Sequence, residues 1–250
     1  MPGTVLSSSI FTPRYAGQST IAELVAYRLK TDLSSRHPGW EYRFLGNPFG
    51  TLLNRLLIER EIQADFAPAE LLQGWSSMYS FVLSTLGPLL HEAKADSKRT
   101  IVLFDGFGLD NLVHATSLAI PSGDYMISQE ISDEVIKKTT ELHHMLVDKL
   151  FKQEGVKPPL YYRLFAKPEQ IDAWMIKDRP EIGRLSEDCR RRFIKHQEKI
   201  ADSYFLAETG QTSYDIEANA RRLEEIADEI FEHICSRIVE YERSLALTCA

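Results

Sequence analysis

Residues Thr12 to Thr20 read TPRYAGQST and lie between a candidate strand and an amphipathic helix, in the segment TVLSSSIFTPRYAGQSTIAELVAYRLK. In such a turn the backbone N–H groups and the positive end of the helix can cradle phosphate. A lysine would reach the terminal phosphates, and a Ser or Thr hydroxyl would hold magnesium. Gly17, Ser19 and Thr20 match the end of the pattern G-x-x-x-x-G-K-[ST], whereas Thr12 stands at its first glycine and Gln18 at its lysine. A plainer reading makes Ser19 or Thr20 an ordinary helix cap.

Other residues could join this chemistry. Asp105 closes the buried run TIVLF, at the strand end where open α/β sheets place their ligands. It could meet magnesium through water or accept a proton, or it could simply begin a turn with Gly106. Arg14 lies inside the loop, and Lys177, Arg179, Arg184, Arg190, Arg191 and Arg192 form a basic segment. That segment reads either as a source of charge for a moving phosphoryl group or as a solvated helix face. Trp75, Tyr79 and Phe81 could line a pocket or belong to the core. Adjacent His143 and His144 point about 100° apart on a helix and cannot share one metal. Cys189, Cys235 and Cys249 lack the spacing of a zinc site or a disulfide framework, which fits a reducing cytosol.

Hydrophobic period and turn residues predict the elements that must carry these groups. Strands are expected at Thr4 to Phe11, Glu41 to Leu45, Thr100 to Phe104, Leu160 to Ala166 and Ser203 to Ala207, the first being serine-rich. Helices are expected at Ser19 to Leu33, Gly50 to Arg60, Ala67 to Ala95 with a break near Gly87 and Pro88, and Ser132 to Gln153. Three more should cover Pro168 to Lys177, Ser186 to Ala201 and Ile216 to Arg243. Ser132 and Ser186, each followed by two acids, read as helix starts. The region Pro121 to Ser128 reads as a loop. Alternating strands and helices predict α/β architecture with a parallel sheet covered on both faces.

The chain of 250 residues suits one domain over residues 1–250. Hydrophobic residues make up 44%, charged residues 26%, and the net charge of -7 argues against nucleic acid as a partner. No apolar run reaches the ~20 residues that span a bilayer. The basic, hydroxyl-rich first 22 residues, with no acid before Glu23, give a faint organellar alternative to the cytosol. The last helix carries Leu223, Ile226, Ile230, Phe231, Ile234 and Ile238 on one face, and its length leaves room for a homodimer contact.

In order and spacing nearly the whole chain resembles the thymidylate kinase family of P-loop nucleoside monophosphate kinases. NPFGTLLNRLL resembles the family's R-E-P-G-G-T-x-L-G segment, keeping Pro48, Gly50 and Thr51, and PAELLQGWSSMYSFVLSTLGPLL its following helix. IVLFDGF resembles the strand ending in D-R-[YH], and LYYRLFAKPEQI the strand leading to D-P-E and the lid. GRLSEDCRRRFIKHQEKIADSYF resembles D-R-x-E, the helix after it and a final strand. The resemblance implies a P-loop, three-layer α/β/α fold with a five-stranded parallel sheet and a lid at about 174–192. It also implies ATP and magnesium as cofactors, and a nucleotide or nucleotide-like small molecule as partner. Gly17, Gln18, Ser19 and Thr20 would meet the ATP phosphates, Ser19 and Asp105 the metal, and Pro48, Thr51, Trp75 and His114 the acceptor. Asp105, Arg184 and Arg14 would serve catalysis.

The departures from the family are all losses of charge or of base readout. Gln18 replaces the loop lysine, Gly106 the arginine of D-R-[YH], Gly46 the arginine of R-E-P-G-G-T, and Met78 falls near the acceptor-phosphate arginine. His114 and Ala115 replace a tyrosine and a glutamine. Losing one preorganised charge or donor typically costs about 3–4 kcal/mol in the transition state. The sequence therefore favours a nucleotide-binding protein with weak or no dTMP kinase activity. An active phosphotransferase of altered specificity, with Arg14 or Arg184 replacing the lysine, is the alternative. An ordinary dTMP kinase is a third reading. A scaffold without nucleotide would close the loop with Tyr15 or Phe11.

Overall fold

Serine is a poor residue for the centre of a sheet, yet Ser7, Ser8 and Ser9 are buried in the first strand, and that strand is central. The computed structural model describes residues 3–12, 17–46, 86–95, 98–106, 137, 141, 145, 148–178, 180–206 and 213–248. Within them run β1 (Val5–Phe11), α1 (Gln18–Arg36), β2 (Trp40–Leu45), α2 (86–95) and β3 (Arg99–Asp105). There follow α3 (148–154), β4 (Leu160–Phe165), α4 (Pro168–Asp178), a 3-10 turn (Pro180–Arg184), α5 (Glu187–Leu206), β5 (Ser213–Glu217) and α6 (Leu223–Thr248). The five strands pair in the order β2-β3-β1-β4-β5, every pairing parallel.

Helices cover both faces, so the fold is the expected three-layer α/β/α. On one face Ile21, Val25 and Leu29 of α1 join Ile230, Ile234 and Ile238 of α6 over Ile10, Leu103 and Tyr162. On the other, Ile171 and Met175 of α4 pack with Phe193 and Ile194 of α5. Each of these apolar side chains contributes about 1.5–3 kcal/mol by leaving water. The surface pairs Arg28–Asp228 at 2.8 Å and Arg36–Glu232 at 2.6 Å also join α1 to α6. They are well exposed, so each adds about 0–1 kcal/mol.

Partners from outside the strand serve Ser7 and Ser8, whereas the buried Ser9 hydroxyl has no hydrogen-bond partner among the described residues. The Ser7 hydroxyl donates to the Lys157 carbonyl at 3.0 Å, and Arg237 of α6 donates to the Ser8 hydroxyl at 2.8 Å and to the Ser7 carbonyl at 3.4 Å. Tyr162 and His233 share a 3.0 Å hydrogen bond beside them. Burial pushes the Tyr162 phenol up to about 12, while burial and then Arg237 push the His233 imidazole below its ordinary value, against Glu240 and Glu229.

The expected boundaries hold for β1 to β4 within a residue, and α1 and α5 run longer than predicted. The fifth strand was misplaced: Ser203 to Leu206 end α5, and β5 is Ser213–Glu217. Phe193, Ile194, Gln197 and Ala201 keep a helical burial period through α5, with no Gly or Pro before residue 206 to stop it. In SYDIE only Ile216 is buried, the alternation of an edge strand, so α6 starts at Leu223 instead of Ile216. Residues 86–95 are helical through Gly87 and Pro88, so no break falls within them. The expected helix 50–60 and loop 121–128 lie outside the described residues, as do Met78, Tyr79, Phe81, His143 and His144.

Two outcomes follow from this packing. Ile230→Ala should lower unfolding free energy by about 2–5 kcal/mol, and Arg36→Ala by less than about 1 kcal/mol, both measured by urea denaturation. His233 is held below its ordinary value, so as pH falls the unfolded chain takes the proton first. Stability is then lost as pH drops through about 6.5 and is untouched by this group well above it. In His233→Gln that part of the pH slope should vanish; an unchanged slope would refute the assignment.

Candidate functional site

The parallel register sets Ile10 of β1 beside Asp105 of β3, so the two strands deliver Thr12 and Asp105 to the same edge of the sheet. Thr12 and Asp105 are both 5% exposed. Gln18, the first residue of α1, joins them. Its Oε1 accepts from the Thr12 backbone N–H at 3.2 Å, and its Nε2 donates to Asp105 Oδ1 at 3.2 Å. The predicted lysine position thus holds a neutral amide seated between the ends of the two central strands.

Among the described residues no side chain caps the start of α1. Gly17 is its N-cap with φ 78, and no acid lies in its first turn. The first helical bond runs from the Ile21 N–H to the Gly17 carbonyl at 2.9 Å, which leaves the N–H groups of Gln18, Ser19 and Thr20 without acceptors inside the helix. Ser19 and Thr20 are exposed inside that first turn. The expectation that one of them is an ordinary cap is therefore corrected, because glycine in the left-handed region supplies the turn instead.

Leu223 of α6 supports this turn from below: a Cβ added to Gly17 would lie 3.1 Å from Leu223 Cδ1. Gly106, after Asp105, also has positive φ, 69°. An arginine there, as in D-R-[YH], would be strained.

Magnesium suits the groups present. The Asp105 carboxylate gives one oxygen to Gln18, and the Ser19 hydroxyl is exposed on the adjoining helix turn. A hard cation that keeps several waters needs only one or two such protein oxygens besides phosphate. Among the described residues no group of three or more His, Cys, Asp or Glu could hold a metal alone.

The basic segment does not behave as a unit. Arg190 holds Asp172 through two bonds of 2.6 and 3.1 Å and donates to the Leu185 carbonyl at 2.6 Å, stapling α5 to α4. Arg191 and Arg192 pair with Glu187 and Asp188 one turn away. The Cys189 N–H donates to the Ser186 hydroxyl at 3.2 Å, as the predicted cap requires. Arg184 ends the 3-10 turn exposed. Between β1, β4 and α5 lies a cleft of about 40 Å³ lined by Phe11, Arg163, Phe165 and Ile194, too small for a nucleobase.

Gly17, Gln18, Ser19, Thr20 and Asp105 thus belong to one edge of the molecule, while Arg14, Pro48, Thr51, Trp75 and His114 lie outside the described residues. The sequence reading did not anticipate the Gln18 bridge, the Leu223 support or the Arg190 staple. Only the apolar start of α6 hinted at the second, and nothing in the spacing marks Asp172 as a partner of Arg190.

No protein-family model matches the sequence, and no curated protein is similar to it in sequence. Solved structures are similar in fold. A thymidylate kinase from Candida albicans matches at 13% identity over 94% of this chain and 92% of its own, with a TM-score of 0.54. A deoxyadenosine kinase from M. mycoides, determined with the products dCMP and a flexible dCDP bound, matches at 12% identity over 92% of this chain and 100% of its own, with a TM-score of 0.50. The fold is therefore shared with these two kinases. Gly17→Ala should destabilise the protein by about 1–3 kcal/mol through its positive φ and the Leu223 contact. In a Leu223→Ala background Gly17→Ala should still destabilise, though by less, because only the contact has been removed; no loss in that background would place the cause in crowding alone.

Proposed function

We propose that this chain binds a nucleotide with its phosphates at the start of α1, over Gly17, Gln18, Ser19 and Thr20. Magnesium would be held between the Ser19 hydroxyl and, through water, Asp105. The observation that carries the proposal is the left-handed Gly17 cap with no side-chain bond and no acid in the first turn, set beside the Asp105 strand end. Oriented N–H groups and the helix dipole favour an anion there, and the kinase fold adds support.

Phosphoryl transfer is expected to be slow. The transferring group needs positive charge, and the Gln18 amide supplies a dipole where the pattern has a cation. A loss of about 100- to 1000-fold in rate corresponds to one such missing group. A second reading, an active phosphotransferase on a nucleoside monophosphate or related acceptor, is favoured by one observation: Arg184 is exposed at the end of the turn between α4 and α5, and among the described residues no bond ties it down as Asp172 ties Arg190. An arginine there could stand in for the lysine.

Thermal-shift measurements with ATP, ADP and monophosphates plus magnesium test both readings. Ligand at about 100 times Kd adds about 2.7 kcal/mol, roughly 5–10 °C in a chain of this size. A shift with slow or absent ADP release supports the binding reading. Rapid ADP release that is lost in Arg184→Ala supports the second. No shift with any nucleotide would sink both.

A further inference from the structure

The residue at the lysine position is bonded on both sides, which says more than that a charge is missing. We propose that Gln18 is a positioning residue whose amide locks the end of β1 to Asp105 and so holds the Asp105 carboxylate beside the start of α1. The inference deepens the nucleotide-binding reading and rests on it for its functional consequence, though not for the lock itself.

The chemistry of the two partners defines what the position must offer. Thr12 contributes a backbone donor and Asp105 an acceptor, both buried at 5% exposure, so each is penalised if left without a partner. A primary amide has one carbonyl oxygen and one NH2 and meets both demands at once. An ammonium group has only donors and would serve Asp105 alone. A carboxylate has only acceptors, and like-charge repulsion from Asp105 would drive it out of the position from which Gln18 accepts the Thr12 N–H. Among Gln, Lys and Glu, glutamine is the one side chain that closes the gap between β1 and β3.

Two consequences follow. Restoring the lysine of the phosphate-loop pattern would break the Thr12 bond, so Gln18→Lys would loosen the end of β1 instead of reviving a kinase. Reversing the pair as Q18E/D105N would rebuild both bonds. The carboxylate introduced on α1 accepts from the Thr12 N–H and from the side-chain NH2 introduced at the end of β3, and the summed charge of the two positions is unchanged. A side chain that merely fills space would not respond to this reversal.

The test uses the full chain, labelled with nitrogen-15, as wild type, Q18K, Q18E and Q18E/D105N. Hydrogen exchange of the Thr12 amide is read without nucleotide, with the Ile234 amide in α6 as the report on global folding. Affinity for ADP is titrated in parallel, with and without magnesium. Q18K and Q18E should speed Thr12 exchange by about tenfold or more while Ile234 stays protected, and Q18E/D105N should return Thr12 toward wild-type protection. The double variant should also regain ADP affinity lost in Q18E when magnesium is absent. If Q18E fails to fold, recovery of the fold in the double variant supports the lock, and failure to recover contradicts it. Unchanged Thr12 exchange in both single variants, or a double variant no better than Q18E, would overturn the proposal. Absence of ADP binding by the wild type would instead remove the nucleotide-binding reading and leave the Thr12 result to decide the lock.

Discussion

A polar strand in the middle of the sheet is the constraint on which the rest of the molecule depends. β1 pairs with β3 on one side and β4 on the other, and elements packed over the sheet faces keep its serines from water. Arg237 reaches them from α6, and the Lys157 carbonyl from the segment before β4. The same helix begins at Leu223, against Gly17. One element thus meets part of the core polarity of β1, at Ser8 and the Ser7 carbonyl, and lies against the turn at Gly17. The edge where Thr12, Gln18 and Asp105 meet inherits its position from that support.

Much of the fold was legible because its signals are local. TIVLF is a run of buried residues with no competing helical period, and it became the middle of β3. Ser186 before Glu187 and Asp188 announced a cap, and the cap is present. The serines of β1 weakened its strand signal because the groups that compensate them lie roughly 150 and 230 residues away in sequence. The last strand escaped for the opposite reason. SYFLA is more apolar than SYDIE, yet burial at an edge needs one inward residue, Ile216, while Ser203 to Leu206 continue a helix already under way.

At the site, residue types were legible and partnerships were not. The phosphate-loop pattern located Gly17, Ser19 and Thr20 and marked Gln18 as a loss of charge. That Gln18 holds Thr12 and Asp105 depends on the register of β1 against β3, which no local spacing reports. The basic segment likewise read as one feature. In the structure Arg190, Arg191 and Arg192 are each committed to an acid on α4 or α5, which separates them from Arg184, paired with no acid among the described residues.

On the proposed reading the start of α1 binds an anion, and a neutral bridge stands where the phosphate-loop pattern has a cation. Binding and transfer are separable in such a site: oriented N–H groups attract phosphate in the ground state, while acceleration requires charge that grows in value as the phosphoryl group moves. The central claim is the binding itself, and the most direct measurement is the nitrogen-15 amide spectrum during titration with ADP and magnesium. Saturable shifts of the Gly17, Gln18, Ser19 and Thr20 amides, absent when adenosine replaces ADP, are the predicted result. No change at these four amides at millimolar ADP, or equal shifts with adenosine, would contradict it.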